Sequence, residues 1–181
     1  MTQISHAFDD ILTLNEAGLL AAKASLGDGA VAPAYGSHRE EIIKLLNDSL
    51  ATELVCVLRY KRHHFVASGL ASLKITEEFL VHANEESAHA DRIARRIVQP
   101  GEEPDFSPNS LLDRSHADYD DSNDLKTMVC VNLIAERVAI ESYHQMITLI
   151  GDKDTTTRQM LEDILAQEEE HADELKDWLT D

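Results

Sequence analysis

Two stretches of this chain carry the same chemistry at nearly the same spacing. Glu53 is followed seven residues on by Tyr60, and later by Glu86-Ser87-Ala88-His89. Glu136 is followed seven residues on by Tyr143, and later by Glu168-Glu169-Glu170-His171. The first pair of glutamates is 33 residues apart and the second 32. Aligning Glu53 with Glu136 also puts Leu50 on Leu133, Val55 on Val138 and Val57 on Ile140. In each E-x-x-H the Glu and His leave the same face of a helix and can reach one ion. Two such pairs, with one further Glu from each half, supply six ligands for two metal ions: Glu53, Glu86, His89, Glu136, Glu168 and His171. A single E-x-x-H is common on solvated helices; the doubled pattern, with a Tyr at the same offset, is not.

Charge supports that reading. Four carboxylates buried together without a cation would be costly or would take up protons. Two divalent ions would neutralise them. Imidazole with carboxylate suits iron, manganese or zinc, and the ligand types do not choose among these. Two redox ions side by side can pass two electrons to oxygen or peroxide. Tyr60 and Tyr143, two turns from their Glu on the same face, are expected to bond a ligating carboxylate across the bundle and so orient it. Electron supply by either Tyr is the alternative. His82 lies one turn before Glu86 and reads as a supporting group or a transient ligand. Glu77, Glu78, Glu85, Glu162, Glu169 and Glu170 read as solvated or rim residues, and His63, His64 and His144 as packing or surface histidines.

Four helices must position these groups. Ile42, Leu46, Leu50, Glu53, Val57, Tyr60 and His64 recur at three and four and so share a face. That helix is expected to begin at a Ser37/Glu40 capping box and to end near Ser68-Gly69. A second helix spans roughly 72–98, with His82, Glu86, His89 and Ile93 on one face, and stops at Pro100-Gly101. Residues 99–122 carry no period and read as a crossover joining the ends of two parallel helices. A third helix spans about 123–150, its inner face expected to hold Val129, Asn132, Leu133, Glu136, Ile140, Tyr143 and Ile147. A fourth begins near Asp154 and carries Leu161, Ile164, Leu165, Glu168, His171, Leu175 and Trp178 inward. The predicted fold is all-α: a four-helix bundle over 38–181 with one long crossover, preceded by an extension over 1–37. Phe8, Ile11, Leu12, Leu19 and Leu20 there suggest a short helix, and Gly27-Asp28-Gly29 a loop.

Composition bounds the partners. The formal net charge of −18 argues against nucleic acid and is compatible with attracting cations. No apolar run is long enough to span a membrane, and no secretory leader is apparent. Cys56 and Cys130 form no CxxC and read as free thiols, buried as small apolar groups, in a cytoplasmic protein; Cys56, three residues from Glu53, could instead serve near the metals.

The same residues resemble the ferritin-like superfamily, and bacterioferritins most closely, over roughly 38–180. The resemblance implies that the six ligands form a ferroxidase centre, with Glu86 and Glu168 bridging. Fe(II) would be oxidised there by oxygen or hydrogen peroxide, for storage or detoxification in a homo-oligomer that could form a hollow cage. Bacterioferritins take haem on a Met after the second-helix Glu; here that residue is Ser87, so haem is not expected. About ten residues follow His171, so the short fifth helix of classical ferritin cages is not expected. A non-storing di-iron or di-manganese oxidase or peroxidase of rubrerythrin type is the first alternative. That branch usually has a Glu where this chain has Ala139. A structural or DNA-associated shell is the second; DNA-protecting members build their metal site between subunits.

Overall fold

The computed structural model describes residues 14–24, 30, 36, 38–67 and 72–180. Among these residues six helices follow in order: α1 Glu16–Ala24, α2 Arg39–Val66, α3 Ser72–Val98, α4 Leu111–Arg114, α5 Leu125–Ile150 and α6 Thr155–Thr180. No strand occurs among the described residues. Helices α2, α3, α5 and α6 form a bundle of two hairpins, and at 26 to 28 residues each is roughly 40 Å long.

Pairwise contacts fix the directions. Tyr60 meets Glu136 and Tyr143 meets Glu53, so α2 and α5 run antiparallel. His82 meets Glu174 and Arg96 meets Asp154, so α3 and α6 do too. Helices α3 and α5 are therefore parallel, as a crossover demands. The crossover lies along α2 in rising register. Asp105 N–H donates to Asn47, His116 N–H to Thr52, and the Arg59 and Arg62 guanidiniums to the carbonyls of Asp118 and Ser122. Helix α4 within it was not foreseen. It has a single turn and no period to read, and Arg114 pins it by donating to Asn47 O at 2.6 Å.

The ends of the helices follow local chemistry. Asp124 caps α5 through Thr127 N–H at 2.8 Å, so that helix begins two residues later than expected, and Asp154 caps α6 through Thr157 N–H at 2.9 Å. Gly151, at φ 50, ends α5 with its N–H on Ile147 O. His38, with no side-chain capping bond, holds the cap position of α2. Ser37, Ser68 and Gly69, and with them the expected capping box and glycine stop, lie outside the described residues. So do Phe8, Ile11, Leu12 and residues 27–29; Leu19 and Leu20, in α1, are exposed.

Two apolar clusters fill the bundle. One holds Leu46 and Leu50 of α2, Ile93 and Ile97 of α3, Met146 and Ile150 of α5, and Leu161 and Ile164 of α6. The other holds Tyr60, Phe79, Ala83, Met128, Val129 and Leu175. On every long helix the predicted ligands fall between the two. The buried stripe of α5 is rotated from the expected one: Ala139 and Met146 are buried, while Ile140 and Ile147 are only partly so. A small Ala and a pliable Met let α5 approach its neighbours closely, and the β-branched side chains flank that contact. Cys56 is buried but Cys130 only partly, so the second thiol is less enclosed than expected.

Candidate metal centre

Glu53, Glu86, His89, Glu136, Glu168 and His171 are each no more than 2% exposed. All six converge at mid-bundle. Ligand atoms of Glu53, Glu86, His89 and Glu168 lie within 4.8 Å of one another, and so do those of Glu86, Glu136, Glu168 and His171. The two groups share Glu86 and Glu168. His89 Nδ1 lies 3.0 Å from Glu168 Oε1, 3.4 Å from Glu53 Oε2 and 3.5 Å from Glu86 Oε2. His171 Nδ1 lies 3.7 Å from both Glu86 Oε1 and Glu168 Oε2, and 3.8 Å from Glu136 Oε2. Glu86 and Glu168 thus turn one oxygen to each imidazole, while Glu53 and Glu136 each serve one end.

These close approaches are not hydrogen bonds. Glu53 Oε2, Glu86 Oε1, both oxygens of Glu168, His89 Nδ1 and His171 Nδ1 are buried without a hydrogen-bond partner. Orphaned buried polar atoms are rare and costly. Here they point at one another's common centre, which is the arrangement that cations between them would satisfy.

The outer sides of Glu53, Glu136 and both imidazoles are held by hydrogen bonds. Tyr60 donates to Glu136 and Tyr143 to Glu53 through short hydrogen bonds across the bundle. His89 Nε2 meets Gln167 Oε1 at 3.0 Å and His171 Nε2 meets Glu85 Oε2 at 2.9 Å. Both partners accept, so each imidazole carries a proton on Nε2 and presents Nδ1 inward. Glu85 does sit at the rim, but its carboxylate also orients His171. The signal for this was in the sequence. Glu85 and Gln167 each immediately precede a predicted ligand, at matching positions of the two halves.

The electrostatics are those of crowded carboxylates. Burial first, and the Glu86 charge next, push Glu53 up to about 8. Burial and Glu53 push Glu168 up to about 7, with His171 and His89 opposing. Burial would also raise Glu136, but the approach of His171 and the Tyr60 hydroxyl bring it down to about 2. Burial works against both imidazolium ions, yet the surrounding carboxylates outweigh it and raise His89 and His171 well above the usual histidine range. Burial and the adjoining carboxylates Glu136 and Glu53 hold the Tyr60 and Tyr143 phenols up, so both remain donors.

The remaining histidines divide. His82 is fully buried, its ring stacked on His171 at 4.1 Å between centroids. His63 is a buried packing group that meets Asn132 at 3.0 Å and Asp120 at 3.2 Å; burial, and then the Arg59 charge, lower it to about 4. His64 is partly buried on Thr76 O, and His144 is exposed. Arg59, 1% exposed, was not anticipated; its guanidinium bonds Asn132 and Asp118 O and reaches Cys56 Sγ at 3.4 Å.

The chain matches the ferritin-like domain family over residues 43–181. It belongs to that family. Bacterioferritin of Mycobacterium avium is 26% identical over 137 residues, which cover 75% of this chain and 82% of the relative. Among solved structures, the bacterioferritin-related protein of Bacteroides fragilis, described as a dodecameric thioferritin, superposes with a TM-score of 0.76 at 29% identity. That match covers 90% of this chain and 93% of the other. A Dps homologue of Halobacterium salinarum gives a TM-score of 0.76 at 23% identity, covering 84% and 88%, which is a likeness of fold. The chain is thus a ferritin-like bundle, related to the bacterioferritins, with buried Glu/His clusters consistent with a di-metal site. Among the described residues, no helix is long and apolar enough to cross a membrane.

Proposed function

We propose that the protein oxidises Fe(II) to Fe(III) at a two-metal centre inside each bundle and serves iron storage or detoxification. The observation that carries this is the set of orphaned buried atoms on Glu53, Glu86, Glu168, His89 and His171, facing a common space. The residues fit two ions. Glu53 and His89 would hold one and Glu136 and His171 the other, with Glu86 and Glu168 shared between the two. Bound iron supplies one electron per ion to oxygen or hydrogen peroxide. The chain's part is to fix spacing and charge. Tyr143 and Tyr60 orient the terminal carboxylates, Gln167 and Glu85 set the imidazole tautomers, and the two apolar clusters keep bulk water from the centre. Two Fe(II) ions are the substrate; manganese or zinc would suit the same donors.

The fully buried, paired ligand sets within one chain favour this reading over the shell reading, because they need no second subunit. A homo-oligomer, and a cage, is part of the proposal. Leu58, Phe65, Val81 and Ile134 project from the long helices at 47% to 79% exposure and would be covered by further copies. The oxidase or peroxidase of rubrerythrin type remains the second reading, favoured by nothing beyond the same ligands.

The test is iron retained per chain after aerobic Fe(II) loading and gel filtration. Retention far above the roughly two ions of one bundle supports a mineral store. Retention near two moves the reading to the oxidase or peroxidase. No retention and no oxidation overturn both.

A further inference from the structure

Beside the di-metal cluster, on the same side as His171, a third set of donors converges between α3 and α6. His82 Nε2 lies 2.9 Å from Glu174 Oε2 and 3.5 Å from Glu78 Oε1. His82 is fully buried, whereas the side chains of Glu78 and Glu174 are 29% and 43% exposed, so the set opens to solvent. Donors of Glu78, His82 and Glu174 fall within 4.8 Å of one another, and donors of His82, Glu136 and His171 do so again one step inward. That inner set shares Glu136 and His171 with the cluster of Glu86, Glu136, Glu168 and His171. The rings of His82, His171 and His89 form a near-parallel row, with successive centroids 4.1 Å and 6.2 Å apart. Overlapping donor sets therefore run without a break from the surface to the innermost ligands.

The Tyr60 contact fixes which nitrogen of His82 faces outward. The single Tyr60 hydroxyl proton goes to Glu136. His82 Nδ1, 3.2 Å from the Tyr60 oxygen, must therefore donate to it. Nε2 then faces the two carboxylates, at 2.9 Å from Glu174 and 3.5 Å from Glu78. Three side chains of metal-ligating type thus turn on one point, where a divalent cation would be met by all three. The matching positions of the other half carry none of this. Met160, Ile164 and Arg92 stand where this half has Glu78, His82 and Glu174. Ile164 is fully buried in the apolar cluster, and Arg92 bonds Asp163 at 3.0 Å. Only the half that holds His82 places ligand types at these three positions.

We propose that Glu78, His82 and Glu174 form a third divalent-cation site, an entry station from which Fe(II) passes by way of His82 to Glu136 and His171. This rests on the two-metal reading of the inner cluster. The expected ligand is a hydrated divalent ion held by one imidazole and two carboxylates. It keeps water on its open side, since the protein offers only three donors.

The experiment is anaerobic Co(II) binding to the full chain, with bound metal counted by equilibrium dialysis and the inner pair followed by its visible absorption. The wild-type chain should hold about three Co(II), and the double variant Glu78→Gln, Glu174→Gln about two with the inner absorption unchanged. Filling of the inner pair should slow roughly tenfold in the variant. Glu174→Lys is a second variant. Its ammonium would stand where the cation sits, and the third equivalent should again be lost. If wild type and variants all hold two, the entry station is wrong and the inner centre stands. If the wild-type chain holds none, both readings fall. If the third equivalent persists in both variants, these residues do not hold it. Helical circular dichroism of each variant accompanies the count, and substitution at half-exposed positions should leave it unchanged.

Discussion

Filling the centre should expel protons, because burial and crowding raise Glu53 and Glu168 and the carboxylates raise both histidines. Without metal, His89 and His171 are held protonated by the carboxylates around them, against the opposing effect of burial. Glu53, raised to about 8 by burial and by Glu86, is largely protonated at neutral pH, and Glu168, raised to about 7, is about half so. Every one of these groups must lose its proton to bind a cation. The sum is roughly three protons for two ions near neutral pH, so the overall binding constant should rise about a thousandfold per pH unit there. The sign carries into stability. A raised pKa in the folded state stabilises the metal-free fold at low pH. That contribution is lost as pH rises through the folded values, from the ordinary carboxylate and histidine range upward. Metal should do the opposite, so the gain in melting temperature on adding Co(II) should grow from pH 6 to pH 8. At about a hundredfold excess over Kd the gain is roughly 2.7 kcal/mol, or about 5–10 °C for a domain of this size. Anaerobic titration calorimetry in two buffers of different ionisation enthalpy counts the protons directly. Release of less than one proton, or a melting temperature indifferent to Co(II), would refute this picture of the centre.

Other perturbations separate the parts of the site. Glu86→Ala should abolish rapid Fe(II) oxidation, because Glu86 faces both imidazoles. Glu85→Ala removes only the partner of His171 Nε2 and should weaken metal binding about 10- to 100-fold without abolishing oxidation; equal behaviour of the two would mean the ligands are assigned in the wrong register. Tyr60→Phe should cost more metal affinity than Tyr143→Phe, since it also strips the acceptor from His82 Nδ1; Co(II) dissociation constants for both variants decide it. Asp154→Ala breaks a buried pair with Arg96, 2.8 Å apart, and the cap of α6, and should destabilise the fold by about 3–5 kcal/mol in urea. Burial opposes it, but Thr157 and Arg96 lower the Asp154 pKa. Its stabilisation is therefore present above the ordinary Asp range and lost as pH falls through the lower folded value. A loss below 1 kcal/mol would show that the pair contributes little.

How far the sequence could be read depended on the kind of signal. The long helices were legible because apolar residues such as Leu46, Leu50, Ile93 and Leu161 recur at helical spacing. The convergence of six donors was legible because Glu and His on an apolar face are anomalies. Residues that act from the rim were harder. Glu85 and Gln167 look like ordinary solvated polar residues until their positions in the two halves are compared. Arg59 looks like a surface cation, and nothing local shows that it is buried beneath the crossover on Asn132 and Asp118. The crossover is held mainly by α2 side chains bonded to the crossover's own backbone, which leave no period. The rotated stripe of α5 arises because close approach favours Ala139 over the more hydrophobic Ile140, and a hydrophobic count points the other way.

The central claim is that two metal ions react together inside one bundle. Stopped-flow absorbance on aerobic mixing of increasing Fe(II) tests it most directly. The account predicts a fast phase whose amplitude saturates at about two Fe(II) per chain and vanishes in Glu86→Ala. A fast phase that saturates near one, or that survives Glu86→Ala unchanged, would contradict it.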